Sequence, residues 1–232
     1  MTLRAFTRPV RLALGLVLWL VAVSALAAAE PHPFSATYRL HLDGWPDVTI
    51  HHRLSRDDGQ WESAMHAQIA IAEGNERGRF RVTDDGLDAL FYRSGYRLFG
   101  LGKDYRLDDR ELAPLPDRQT ALVALARQAA TAACNGAEAA PCTLRYRDYD
   151  GTAVTLAYRV LDHNEVTVEG HRYPSLNVLT WRSDKPERQL RLRLTPSLPG
   201  LLLGGDYRRD GKVLSTLELA HLSRQAAANQ SR

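Results

Sequence analysis

One segment of the chain, residues 117 to 142, has the periodicity of a helix, whereas the sequence on both sides of it alternates between apolar and polar residues. Asp117 belongs to the residue types that cap helix N-termini. The apolar positions that follow have the spacing of one helical face: Leu122, Leu125, Ala126, Ala129 and Ala133. The other face carries polar residues: Arg118, Gln119, Arg127 and Gln128. A single helix among many strands must bury its apolar stripe against a sheet, so we expect this helix to cover the concave side of one curved sheet.

The rest of the sequence predicts hairpins. Residues 34 to 43 alternate strictly, with the side chains of Phe34, Ala36 and Tyr38 on one face. Later segments of the same kind are separated by turn sequences such as Asp58-Gly59 and Asp210-Gly211, and another turn is predicted at residues 162 to 164. The predicted fold is therefore mainly β (α+β), an antiparallel open half-barrel of about eleven strands with one helix on its concave face.

The N-terminal residues predict export. Arg4, Arg8 and Arg11 precede an apolar run over residues 12 to 26, which ends in small residues, as in a secretory signal peptide. The run of 15 residues is shorter than the roughly 20 of a membrane-spanning helix, which disfavours the alternative of an uncleaved anchor. We expect residues 1–29 to be a signal peptide, with cleavage after Ala27 or Ala29 and no transmembrane span afterwards. Residues 30–222 would form a single β-rich domain in the periplasm, followed by a disordered tail over residues 223–232.

The charge balance argues against nucleic-acid binding. The whole chain has a formal net charge of +3, but residues 1–29 contain three arginines and no acidic residue, so the exported part is close to neutral. No run of basic residues is interleaved with aromatic residues that could stack on bases. We therefore expect no nucleic-acid partner.

Cys134 and Cys142 are the only two cysteines, and an oxidising compartment would allow them to pair. One lies at the end of the helical segment and the other at the start of the next strand. A disulfide between them would hold the end of the helix against the sheet. A metal site is the weaker alternative, because the spacing is not C-x-x-C and no histidine pattern lies nearby.

The sequence contains no complete catalytic motif of the kinds considered. It has no G-x-S-x-G or H-E-x-x-H, and Gly100-Leu-Gly-Lys103 lacks the spacing and the Ser or Thr of a phosphate loop. His41 and His51 are expected within diagonal reach on one polar face, either as solvated side chains or as a weak metal pair. We predict no catalytic residues, no cofactor and no metal, and hence no enzyme.

Several segments together resemble a known family. They are Phe34-Ser-Ala-Thr-Tyr38, Gly78-Arg-Phe-Arg-Val-Thr-Asp-Asp-Gly86 with Phe91-Tyr-Arg93, Asp117-Arg-Gln-Thr-Ala-Leu-Val-Ala-Leu125 and Asp206-Tyr-Arg-Arg-Asp-Gly-Lys-Val213. In these segments the chain resembles the bacterial exported "domain of unknown function 3108" family over residues 33 to 222. The resemblance implies a fold similar to that of periplasmic lipoprotein carriers, which is an open antiparallel half-barrel with a helix in its concavity. It brings no catalytic signature, and residues 198 to 205 depart from the family pattern by being apolar.

An alanine-rich helix fills a wide concavity less completely than leucines would, which predicts a ligand groove. The groove is expected beside Ala126, Ala129 and Ala130, with a rim formed by Phe99, Leu101, Leu201 and Leu202. The alternative is that these residues simply form the core. Two functions follow: a non-enzymatic periplasmic protein that binds a lipid or another apolar ligand in this groove, or an envelope protein-protein interaction module that binds no small ligand.

Overall fold

The computed structural model describes residues 29–224, which form one antiparallel sheet of twelve strands and two helices. The strands of the first half are β1 (Phe34–Leu42), β2 (Val48–Asp57), β3 (Gln60–Ile69), β4 (Ala72–Thr83), β5 (Gly86–Leu98) and β6 (Leu101–Leu107). The helices α1 (Asp109–Leu112) and α2 (Arg118–Ala129) follow. The second half consists of β7 (Cys142–Arg147), β8 (Ala153–Val168), β9 (His171–Arg182), β10 (Lys185–Leu194), β11 (Leu202–Arg209) and β12 (Lys212–Arg224). The predicted mainly β, open half-barrel architecture is confirmed, with twelve strands rather than eleven.

The strand order explains how the half-barrel is built. Neighbours in the sheet run β6-β5-β4-β3-β2-β1-β12-β11-β10-β9-β8-β7, and every adjacent pair is antiparallel. All of these pairs are consecutive in the chain except β1 with β12, which joins the two halves. The two edges of the sheet, β6 and β7, are therefore the strands that flank the helical segment.

The helical segment contacts the edge strand β7, and the two edges also contact each other. The N–H of Arg147 in β7 donates to the carbonyl of Pro116 at 2.7 Å, so the residue before the α2 cap pairs with the edge strand. The Arg147 Nε also donates to the carbonyl of Glu111 in α1. The ring of Tyr105 in β6 packs edge-on against Tyr149 in the β7–β8 turn, 4.9 Å between centroids, which joins the two edges directly. These contacts leave fewer unpaired backbone groups at the edges, where another chain could otherwise pair.

Four local expectations need correction. The turn predicted at residues 162 to 164 is instead part of β8, where a bulge between Val160 and Asp162 keeps the strand paired with β9. The apolar segment predicted to be a groove rim begins β11 at Leu202, whose N–H donates to the buried hydroxyl of Tyr38 at 3.3 Å. The one-turn helix α1 was not predicted, although Asp108 and Glu111 form a capping box there. Finally, β12 continues through Arg224, because Arg224 pairs with Phe34. Predictions for residues 1–28 and 225–232 lie outside the described residues.

The predicted disulfide is confirmed. Cys134, in the segment after α2, is bonded to Cys142, the first residue of β7, and their Cα atoms are 5.7 Å apart. Cys134 is buried in the main core. The bond therefore fixes the end of the helical segment to an edge strand.

The N-terminus of α2 rests on β4 at Gly78. A β-carbon at position 78 would lie 2.5 Å from Oδ1 of Asp117 and 2.8 Å from Cβ of Gln119, so only glycine admits the helix at this distance. Asp117 caps α2, accepting from the N–H groups of Gln119 and Thr120 and from the Thr120 hydroxyl. This close approach places the helix on the concave face, as predicted.

We expect Gly78→Ala to lower the free energy of unfolding by about 1–3 kcal/mol, because the added methyl overlaps the capped helix end. Gly74→Ala, on the same strand, is the control: its β-carbon would have no neighbour within 4 Å. Urea unfolding of both variants gives the comparison. Equal stability of the two variants would contradict the assigned role of Gly78.

Candidate functional site

A groove lies on the concave face between α2 and the strands of the second half, and we call it the α2 groove. Its volume is about 270 Å³. The apolar lining residues are Met65, Ala121, Leu122, Leu125, Leu144, Tyr146, Leu156, Leu190, Leu192 and Leu202. Leu190 is 42% exposed, so the groove opens to solvent along β10.

Regular secondary structure positions these side chains. Ala121 and Leu125 are four residues apart in α2 and lie on the same side of the helix. Leu190 and Leu192 alternate along β10 with arginines that point to the other face of the sheet. The small side chain at Ala121 leaves space between the helix and this wall.

One end of the α2 groove is polar. Glu76 accepts a hydrogen bond from the Tyr92 hydroxyl at 2.5 Å and pairs with Arg118 at 3.4 Å. Arg118 also pairs with Asp148, 3.6 Å away, which in turn pairs with Arg182 at 3.1 Å. Burial and the charge of Glu76 raise the pKa of Tyr92 above its ordinary value. Burial acts to lower the pKa of Arg118, but Glu76, Tyr92 and Asp148 raise it overall. Each of these ionisable groups is therefore hydrogen-bonded or ion-paired with another of them.

A buried polar chain supports the helix beneath this end. Ser63 donates to the side-chain carbonyl of Gln119 at 2.7 Å, and its oxygen lies 3.0 Å from Nε2 of His52. Because the Ser63 hydroxyl has one proton and gives it to Gln119, His52 must carry its proton on Nε2 and donate it to Ser63. Nδ1 of His52 has no hydrogen-bond partner, and the imidazole packs against Phe34. Burial lowers the pKa of His52 to about 3.

Asp117 is the second buried titratable group at the helix N-terminus. Burial raises the pKa of Asp117 to about 6, although hydrogen bonds from Thr120 and Gln119 act in the opposite direction. The nearby charge of Glu76 adds to the rise. Both His52 and Asp117 are held by packing of α2 on the sheet, so their protonation is coupled to stability.

The predicted ligand-groove residues are not all brought together. Ala126, Ala129, Leu201 and Leu202 are buried members of one core cluster, whereas Ala130 is exposed outside it. Phe99 and Leu101 lie at the β5–β6 turn and are 72% and 79% exposed. Of the seven, only Leu202 lines the α2 groove, which lies beside Ala121 instead of beside Ala126.

Sequence reasoning missed the polar members of the site. Gln119 was assigned to the solvent face of the helix but is 3% exposed, since the N-terminus of α2 is packed on Gly78 and Ser63. His52 alternates with exposed His51 along β2, which was the available signal that it points inward. The pairing of Glu76 with Arg118 joins residues 42 positions apart, and no local pattern predicts it.

The face of the sheet turned away from α2 carries a larger groove of about 820 Å³, lined by Arg53, Arg77, Arg79 and Arg93. Arg77 and Arg93 lie opposite each other on neighbouring strands, where like charges repel. Glu62 pairs with Arg77 and Arg79, and Asp104 lies 3.6 Å from Arg93. This arginine-lined surface suits small anions, but its guanidinium groups are largely exposed.

His41 and His51 are both exposed, as in the first alternative, but the expectation that they lie within diagonal reach is wrong. His51 lies opposite Thr37 in the β1–β2 register, so His41 is four positions away, about 13 Å along the strand. Nδ1 of His41 instead lies 2.9 Å from Asp47. Within residues 29–224, no group of three or more His, Cys, Asp or Glu side chains is arranged to hold a metal ion.

No helix within the described range is long and apolar enough to cross a membrane.

No protein-family model matches this chain, and no curated protein sequence matches it. Similar solved structures include MucB, with 14% identity and a TM-score of 0.38 over 88% of this chain and 57% of that one. MucB in complex with MucA(peri) gives 14% identity and a TM-score of 0.38 over 87% and 53%. The MucA/MucB complex of Pseudomonas aeruginosa gives 14% identity and a TM-score of 0.39, over 85% of this chain and 53% of that one. The chain thus spans little more than half the length of these proteins, and similarity at this level supports no inference about function.

The pKa values of His52 and Asp117 predict opposite pH dependences. The folded-state pKa of His52, about 3, lies below the 6.5 of a free imidazole, so its contribution to stability is complete above pH 6.5 and is lost as the pH falls towards 3. The pKa of Asp117, about 6, lies above the free value of 3.8, so the stability linked to its protonation is present below pH 3.8 and is lost as the pH rises to 6.

Measured by urea unfolding between pH 3.5 and 7.5, His52→Phe should gain stability relative to the parent protein by up to about 1.4 kcal/mol per pH unit below 6.5. Asp117→Asn retains a good cap and should gain stability relative to the parent as the pH rises from about 4 to 6. Differences from the parent that stay constant with pH would show that these groups titrate alike in the folded and unfolded chains.

Proposed function

We propose that this protein is a non-enzymatic binding module of the bacterial envelope, which holds an apolar segment of a protein partner in the α2 groove. The observation that supports this most directly is the groove itself: leucines from one helix and four strands line an open channel that ends at Glu76 and Arg118. Burial of apolar side chains in such a channel supplies free energy, and the polar end sets the orientation of the bound segment.

The size of the groove favours a protein segment over a whole lipid. A volume of about 270 Å³ is below the roughly 300–1,000 Å³ of pockets that enclose small-molecule ligands. Apolar side chains that enter such a pocket are the usual anchors of a protein interface. A lipid or another apolar ligand is the second candidate, favoured by the leucines of β7, β8 and β10 that line one wall of the groove.

The proposal of a non-enzymatic role is supported by the chemistry of the groove. Its charged groups are Glu76 and Arg118, which pair with each other and with Tyr92 and Asp148. Thr180 is the only Ser, Thr or Cys side chain that lines the groove, and its hydroxyl donates to the carbonyl of Leu190 rather than to a base. Catalysis by activated side chains would need groups free to act on a substrate.

Export and family membership are part of the same proposal. The arginines and apolar run of residues 1–29 support secretion through a cleavable signal, and the disulfide Cys134–Cys142 fits an oxidising compartment such as the periplasm. The segments that resemble the domain of unknown function 3108 family support membership of that family.

Leu190→Glu tests the groove. Leu190 is 42% exposed, so the protein should fold normally, while the carboxylate should weaken binding of an apolar segment by about tenfold or more. Peptides selected from a phage-displayed library on the parent protein serve as probes, and affinities are measured by isothermal titration calorimetry. We expect the selected peptides to be rich in Leu and Phe.

Val213→Glu is the matched control, because Val213 is 39% exposed and lies outside the groove. It should bind the same peptides as the parent. Peptides that bind Leu190→Glu as tightly would refute the groove as the site. A stoichiometric lipid in organic extracts of protein purified from the periplasm would favour the lipid candidate instead.

A further inference from the structure

The antiparallel order of the sheet places alternate turns at the same end. The connections β1–β2, β3–β4, β5–β6, β7–β8, β9–β10 and β11–β12 all lie at one end, because each joins neighbouring antiparallel strands and β1 pairs with β12. The connections β2–β3, β4–β5, β8–β9 and β10–β11 lie at the other end, as do the termini of the sheet at Phe34 and Arg224.

The large apolar side chains that the described residues expose are concentrated at the first of these ends. Nine such side chains are exposed, and seven lie in or within two residues of its turns. One of them, Tyr149, packs on Tyr105 in β6 and is set apart from the β5–β6 tip. We call the other six the apolar rim: Trp45, Ile71, Leu98, Phe99, Leu101 and Val213. None of the nine lies in a turn at the opposite end, where the turns carry Asp58, Asp84 and Glu169. The exposed apolar side chains are therefore clustered, whereas ordinary surface hydrophobic residues are scattered singly.

The β5–β6 turn shows that the apolar residues do not serve the turn itself. Four hairpins of this sheet have two-residue turns with positive φ at both positions: Asp58-Gly59, Phe99-Gly100, Glu169-Gly170 and Asp210-Gly211. Glycine tolerates this backbone conformation best, and Asp and Asn come next, whereas a bulky side chain is a clear outlier there. Phe99 nevertheless has φ of 50° and is 72% exposed, between Leu98 and Leu101.

The free positive charge at this end belongs to lysines. The chain has only three, Lys103, Lys185 and Lys212, and all three follow turns of the rim end by no more than three residues. No ion pair within 4.0 Å among residues 29–224 includes a lysine. Four aspartates at this end are paired with arginines: Asp47 with Arg39, Asp104 with Arg97, Asp184 with Arg182 and Asp210 with Arg209. Asp43 and Asp150, in turns at the same end, are in no ion pair within 4.0 Å among the described residues.

We propose that the apolar rim and its three lysines dock this protein on the surface of a lipid bilayer. Side chains on the tips of separate hairpins suit a continuous, deformable apolar phase. Trp45 is of the residue type that prefers the boundary between headgroups and acyl chains. The unpaired lysines complement anionic headgroups. This surface is distinct from the α2 groove, so the inference does not rest on the proposed function.

Vesicle sedimentation tests the proposal. The protein is made from Glu30 onward, which removes the apolar leader and keeps every described strand and helix. It is mixed with vesicles of phosphatidylcholine alone or of phosphatidylcholine with phosphatidylglycerol. We expect binding to both compositions, tighter to the anionic one, with a blue shift of tryptophan fluorescence as Trp45 leaves water.

The double variant Phe99→Asp, Leu101→Asp should fold, since Asp58 and Asp210 occupy the turn position of Phe99 and Leu101 is 79% exposed. Its affinity for both vesicles should fall by about tenfold or more, as expected when an aromatic side chain no longer leaves water. The triple variant Lys103→Gln, Lys185→Gln, Lys212→Gln should bind neutral vesicles like the parent and lose the added affinity for anionic ones.

The double variant Thr167→Asp, His171→Asp is the matched control, because it also adds two carboxylates at exposed positions but beside the β8–β9 turn of the opposite end. It should bind vesicles like the parent protein. Failure of the parent to sediment with either composition would overturn the proposal, as would equal binding by the Phe99, Leu101 variant. A rim that instead contacts a protein would give the first of these results.

Discussion

The close packing of α2 on β4 at Gly78 is the contact on which the rest of the structure depends. This contact buries polar groups as well as apolar surface. Asp117 caps the helix in the interior, and hydrogen bonds connect Gln119 to Ser63 and Ser63 to His52. Each of these groups would be costly to bury without its partners. Because the partners come from three elements, they define one position for the helix on the sheet.

That position also resolves the problem of the sheet edges. The strands β6 and β7 are the ends of a twelve-stranded sheet, and the segment between them is the one that carries both helices. Pairing of Pro116 with Arg147 and the disulfide at Cys142 tie this segment to β7, and packing of Tyr105 on Tyr149 brings the two edges into contact. The α2 groove is the space that the helix leaves beside the second half of the sheet.

Of the two proposed binding surfaces, the α2 groove lies on the concave face and the apolar rim lies at one end of the sheet. The α2 groove takes its leucines from alternate positions of the strands, where the sheet is curved around the helix. The apolar rim takes its residues from turns, where the backbone would accept polar residues more readily, as at Asp210-Gly211. An arrangement of this kind would hold a bound segment close to a membrane without placing it inside the bilayer.

The sequence by itself determined the hairpins, the α2 helix with its Asp117 cap and the pairing of Cys134 with Cys142. These depend on periodicity, capping and short separations along the chain, all of which are local. Only the tertiary structure decided that β1 pairs with β12, that Gln119 and His52 point into the core and that Leu201 is a core residue instead of part of a groove rim. It also decided that Phe99, Trp45 and Val213 lie at the same end of the sheet. The physical reason is that burial and register are set by residues far apart in the chain, which no local pattern encodes.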